Sequence, residues 1–136
     1  MTSVIFVTLK DGFYADRWTS ELLPVATTPD RAGIRELTWE GQKSGMRDHL
    51  VKPNTLVAVR PSKDVRYFEI VGSVILKECS RPRDATHPAE YKLLVEMLRH
   101  PKKIYKQSHD RFTHNAVLRA IGIPLEQGAM PHGIYE

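Results

Sequence analysis

Trp39, Gly41, Ser44, Lys43 and Arg47 form the segment of this chain with the clearest capacity for chemistry. An indole offers a flat face, a nearby glycine lets backbone approach a ligand closely, and two cations four residues apart share one face of a helix. Together they could hold a flat, anionic, base-bearing ligand, stacked on Trp39 and gripped through phosphates by Lys43 and Arg47. Polar edges of such a ligand could be met by Thr8 and Lys10, leaving the first strand, and by Arg60 and Ser62, leaving a later one. The competing assignment is structural: Trp39 in the core, Gly41 in a plain turn, the cations on a solvated face.

A second group spans residues 102–114, where Lys102, Lys103, Lys106 and Arg111 are interleaved with Tyr105 and Phe112. Cations among aromatics suit a single-stranded nucleic acid, whose phosphates need charge and whose bases need rings. If Ile104, Tyr105 and Phe112 are core, however, the cations merely face water. From Arg99 to Arg119 the only acid is Asp110, with His100, His109 and His114 interspersed.

Enzymatic alternatives are weaker. Asp84, Glu90 and Lys92 carry the letters of a metal-dependent nuclease, in which carboxylates hold Mg²⁺ and orient water. Pro88 interrupts the short span between the two acids. His109 and His114 are badly spaced to share a metal on one helix face, and Cys79 lacks partners for nucleophilic catalysis. Gly72 stands alone in its strand, so no glycine-rich phosphate loop is present. No cofactor is called for.

The elements that must position these residues fit one domain. The chain has 136 residues, 41% of them hydrophobic, and a formal charge of +4, which permits a nucleic-acid partner without requiring one. One cysteine excludes an intrachain disulfide, and residues 1–10 lack a basic leader or a membrane-length apolar run. A soluble intracellular protein of the cytoplasm or nucleus, with no membrane partner, is the expectation. Residues 3–10 read as a buried strand, and 14–23 as a helix stopped by Pro24. Thr28 before Pro29 predicts a helix running toward Leu37. Residues 44–50 predict another short helix, followed by strands at 55–60 and 67–77 and a loop over 80–88. Alternation suggests that Val57, Val59, Ile70, Val74 and Leu76 share one core. Residues 90–98 suit helix by propensity and strand by alternation. The tail from 121 to 136 reads as irregular cover.

The order of these landmarks resembles the EVE domains of the PUA-like superfamily, relatives of the YTH readers. The similar pieces are Trp39, Glu40 and Gly41 with Lys43, Ser44 and Arg47; Lys52 and Pro53 before residues 56–59; and residues 69–74, 83–86 and 98–101. The likeness spans roughly residues 3–125. Only Phe6 represents the aromatic-rich first strand of that family, and Pro53 and Asn54 replace its acid–glycine turn. The resemblance implies an α+β fold with a curved mixed sheet or pseudo-barrel flanked by short helices, and a strand over 91–97. It also implies a non-catalytic module that binds DNA or RNA by capturing a modified or flipped base near Trp39. A small nuclease using Asp84, Glu90 and Lys92 is the alternative, and a protein-interaction adaptor the third. The modification, sequence context and oligomeric state stay open.

Overall fold

The computed structural model describes residues 3–8, 30–40, 51–62, 64–123 and 134–135. Among these residues six strands and one helix follow in chain order: β1 Val4–Thr8, β2 Arg31–Glu40, β3 Leu56–Arg60, β4 Tyr67–Arg81, β5 Glu90–Tyr105, α1 Thr113–Ile121 and β6 Ile134–Tyr135. They form one sheet in the order β2-β5-β4-β3-β1-β6. β1 and β3 run parallel and every other pairing is antiparallel, giving a mixed sheet of α+β class. Among the described residues no ladder joins β2 to β6, so the sheet is open and not a closed barrel.

Apolar residues alternate along β1, and the two sets reach opposite faces. Ile5 and Val7 join Val57, Val59, Val71, Val74, Leu93, Val95, Leu37 and Trp39 in one cluster. Val4 and Phe6 join Ala58, Phe68 and Ile70 under Val117 and Leu118 of α1 in the other. Burial on both faces explains why β1 reads as an unbroken apolar run.

The segment expected to be a helix from Thr28 toward Leu37 is the strand β2, aligned with β5 from Arg31 opposite Leu98 to Glu40 opposite Glu90. Gly33 decides the matter locally. Its φ of 129° belongs to neither helix nor ordinary strand, and it sits where the ladder slips between Arg31 and Gly33. Beyond it Leu37 and Trp39 are buried at a period of two, which pairing with β5 rewards and a helix would not. The ambiguous segment at 90–98 is strand, the first part of the long β5.

Val57, Val59 and Val74 share a cluster as expected, but Ile70 lies in the other one and Leu76 is 43% exposed. Bulges are the cause. β4 carries one extra residue between Ile70 and Gly72 and another between Val74 and Leu76, and each extra residue swaps the faces that follow. β5 bends more sharply: residues 98–101 oppose only Val71, between the pairs Met97–Gly72 and Lys102–Ile70. Pro101, which has no N–H to donate, belongs in such an interruption. The tail is not wholly irregular, because Ile134 and Tyr135 pair with Ile5 and Val4 and cover an edge β1 would otherwise expose. The helices expected over 14–23 and 44–50 lie outside the described residues.

Candidate functional site

One end of the sheet gathers the cations. β3 exits at Arg60, β4 enters after Arg66, β5 exits into Lys106, and α1 enters after Arg111 and Phe112. These residues, with Thr113 and His114, line a cleft of about 360 Å³. Thr8, exposed at the end of β1, is the register partner of Arg60 and so lies at the same end. Arg60, expected to meet a ligand, and Lys106 and Arg111, expected to contact phosphate, therefore converge.

Each is held by local structure. The Arg60 Nε–H donates to the Val65 carbonyl at 2.7 Å, closing the turn from β3 to β4. Ser62, expected to meet a ligand, instead accepts the Asp64 N–H at 3.0 Å within that turn. The Lys106 N–H donates to the Arg66 carbonyl at 2.8 Å, tying the end of β5 to the entry of β4. Burial pushes the Arg60 guanidinium below its usual pKa, with Asp64 acting in the opposite direction. Among the described residues no carboxylate pairs with Arg66, Lys106 or Arg111.

The helix entry adds positive potential. Phe112 caps α1 with extended backbone and no side-chain hydrogen bond, and no acid occupies the first turn. Arg111 lies over the Phe112 ring at 5.2 Å. His114 stands edge-on to Phe6 and Phe68, with centroids 4.6 and 4.7 Å away, so the aromatic core braces one wall of the cleft. The one nearby acid in the loop, Asp110, is buried beneath Arg119.

Beside the cleft, on the face opposite Phe68 and Ile104, Tyr67 and Tyr105 pair across the strands at 5.1 Å. Tyr105 is 53% exposed, so it is not core. The Lys103 ammonium sits 5.2 Å from the Tyr67 ring and 3.9 Å from a Glu69 carboxylate oxygen.

The rest of the expected site is dispersed. Trp39 is 4% exposed and stacks on Tyr91 at 5.5 Å inside the core, which removes it as an open platform for a base. It was placed by β2 being a strand, since alternation aims it with Leu37 into the cluster. Lys10, Gly41, Lys43, Ser44 and Arg47 lie outside the described residues. Lys102 and Lys103 line a separate groove with Arg31. Arg66 and His114 were missed as partners of the cleft. Arg66 directly precedes a strand in sequence, as Arg60 ends one, and that shared position was the available signal.

Each of the three nuclease letters has a partner of its own. The Asp84 carboxylate accepts the N–H groups of Thr86 and His87, each at 2.7 Å, and the Thr86 hydroxyl at 3.0 Å. Those bonds lower its pKa to about 2. Glu90 accepts the Ser80 hydroxyl at 3.2 Å, and Lys92 lies 3.9 Å from Glu36. Among the described residues no group of three or more His, Cys, Asp or Glu is placed to hold a metal ion. Nor is any described helix long and apolar enough to cross a membrane.

Comparison with protein-family models, with curated proteins and with solved structures returned no match.

Proposed function

We propose that this protein binds nucleic acid in single-stranded or locally opened form, holding backbone phosphates in the cleft of Arg60, Arg66, Lys106 and Arg111. The observation that carries the proposal is the convergence of these four cations on one concavity at an uncapped helix entry. Such a place favours an anion, and phosphate suits both the guanidinium forks and the helix amides. Phe112 in the cleft wall and the Tyr67–Tyr105 pair beside it supply faces on which unstacked bases can lie. A duplex keeps its bases inside and would leave these rings unused.

The resemblance to EVE domains points the same way, and a mixed α+β sheet is compatible with it. Capture of a modified or flipped base remains part of the proposal, but away from Trp39. The test is fluorescence anisotropy with single- and double-stranded oligonucleotides, modified and plain, with and without Mg²⁺, using the wild type, Arg66→Ala and Lys106→Ala. Single-strand binding that both substitutions weaken supports the proposal. Mg²⁺-dependent cleavage lost in Asp84→Ala would replace it with the nuclease, and no binding to any oligonucleotide would favour an adaptor.

A further inference from the structure

On the same face of the sheet, at the opposite end of α1, lies a groove of about 810 Å³. Its floor is aliphatic: Leu56, Ile70, Leu98, Ile104 and Ile121. Four of these, all but Ile70, are only partly buried and pack as a margin around the core beneath α1. Gly72 lines the groove with backbone, and β5 crosses too close for a side chain there. A Cβ on Gly72 would lie 2.2 Å from the Glu96 carbonyl oxygen, where β5 passes across. Asn54 and Ser73 bring an amide and a hydroxyl to the groove. Asn54 adopts φ 76°, a left-handed backbone that asparagine tolerates better than most side chains.

The rim is cationic. Arg31 reaches Glu96 at 3.4 Å, and Lys102 has no ion pair among the described residues. The groove and the cleft lie at the two ends of α1, whose nine residues span about 13 Å at 1.5 Å per residue. Lys102 of β5 lies four residues before Lys106, so each cavity has a lysine from the same stretch of chain.

We propose that the groove is the seat of one unstacked nucleotide of the strand held by the cleft. The base lies on Leu56, Ile70 and Ile104, its polar edge meets Asn54 and Ser73, and its phosphate meets Arg31 and Lys102. Extruded bases are held between apolar as well as aromatic side chains, with hydrogen bonds to their edges. An anionic sugar–phosphate attached to a flat, partly apolar ring matches a cationic rim over an aliphatic floor. The volume exceeds a bare ring and leaves room for the sugar or for a substituent on the base. This inference rests on the nucleic-acid reading of the cleft and supplies the base pocket that buried Trp39 does not.

The test uses single-stranded hexanucleotides carrying, at each position in turn, either one 2-aminopurine or one abasic site. Bound to the wild type, 2-aminopurine at one position should brighten, because it leaves its stacked neighbours for a pocket without aromatic rings. An abasic site at that same position should lower affinity about tenfold. Ala120→Trp, an exposed helix position on the groove wall, should abolish both effects and leave the salt dependence of binding unchanged. Asn54→Gly keeps the backbone conformation and removes the amide, so it should weaken the intact strand more than the abasic one, whether or not Ala120→Trp folds. Wild-type binding that depends on Arg66 but shows no position-specific effect would overturn the groove alone. An Asn54→Gly protein that loses equal affinity for both strands, or none, would do the same. Absence of oligonucleotide binding would overturn the cleft and the groove together.

Discussion

Arg119 in the last turn of α1 and Asp110 in the turn that precedes the helix form a two-pronged ion pair. Nη1 donates to Oδ1, Nη2 donates to Oδ2 at 3.2 Å, and Oδ2 also accepts the Gln107 N–H at 2.8 Å. Asp110 is 5% exposed, and its Oδ1 is 3.9 Å from His109 Nε2. The only acid of the basic stretch therefore shapes the loop that carries Lys106 and Arg111, and its charge is already matched by Arg119.

This pair sets an acid limb of stability. Hydrogen bonding from Arg119 holds the Asp110 carboxyl below its ordinary pKa of 3.8. Its stabilising contribution is complete above that unfolded-state value and is lost as pH falls through the lower folded-state value. Asp110→Asn should cost about 1–3 kcal/mol at neutral pH, by weakening the pair and leaving Arg119 without its counter-charge. It should also flatten the loss of stability on acidification. Urea unfolding at several pH values measures both.

Cleft cations and stacking rings should separate in their salt response. Arg66→Ala or Lys106→Ala should weaken binding of single strands of any sequence nearly equally. Each should also reduce the slope of log K against log salt by about 0.7. Anisotropy titrations between low and physiological salt give the slope, and an unchanged slope in both variants would place the phosphates elsewhere.

Tyr105 and Trp39 should respond in opposite ways. Tyr105→Ala should weaken single-strand binding by about 1–3 kcal/mol, as removal of a base–aromatic stack does, with little change in melting temperature. Trp39→Ala removes a buried indole and should cost about 3–5 kcal/mol of folding stability. Its folded fraction should bind as the wild type does. Thermal melts and binding isotherms on the same samples decide.

Gly72→Ala should be destabilising by about 1–3 kcal/mol, because the new methyl meets backbone and not a flexible side chain. The strand ladder between β4 and β5 must part for it to fit. Amide exchange should accelerate most at residues 72 and 96, on either side of the contact. An unchanged stability would mean that β5 does not cross where it is placed.

The strands β1, β3 and β4 were legible in residue order because each is β-branched, apolar and bounded by polar turns. So was the interleaving of cations with Tyr105 and Phe112, since that pattern is itself a local fact. β2 was not, because the capping signal at Thr28 and Pro29 is local while the pairing with β5 that overrides it joins residues some sixty positions apart. The faces of Ile70 and Leu76 depended on bulges, and a one-residue slip in a ladder leaves no mark in periodicity. Trp39 and Tyr105 were interchangeable as candidate stacking rings by type alone. Only the tertiary structure separated them, by folding one beneath Tyr91 and leaving the other at an exposed strand end. Arg60, Arg66, Lys106 and Arg111 became one cleft for the same reason: strands that end at the same edge of a sheet bring together side chains that sequence keeps far apart.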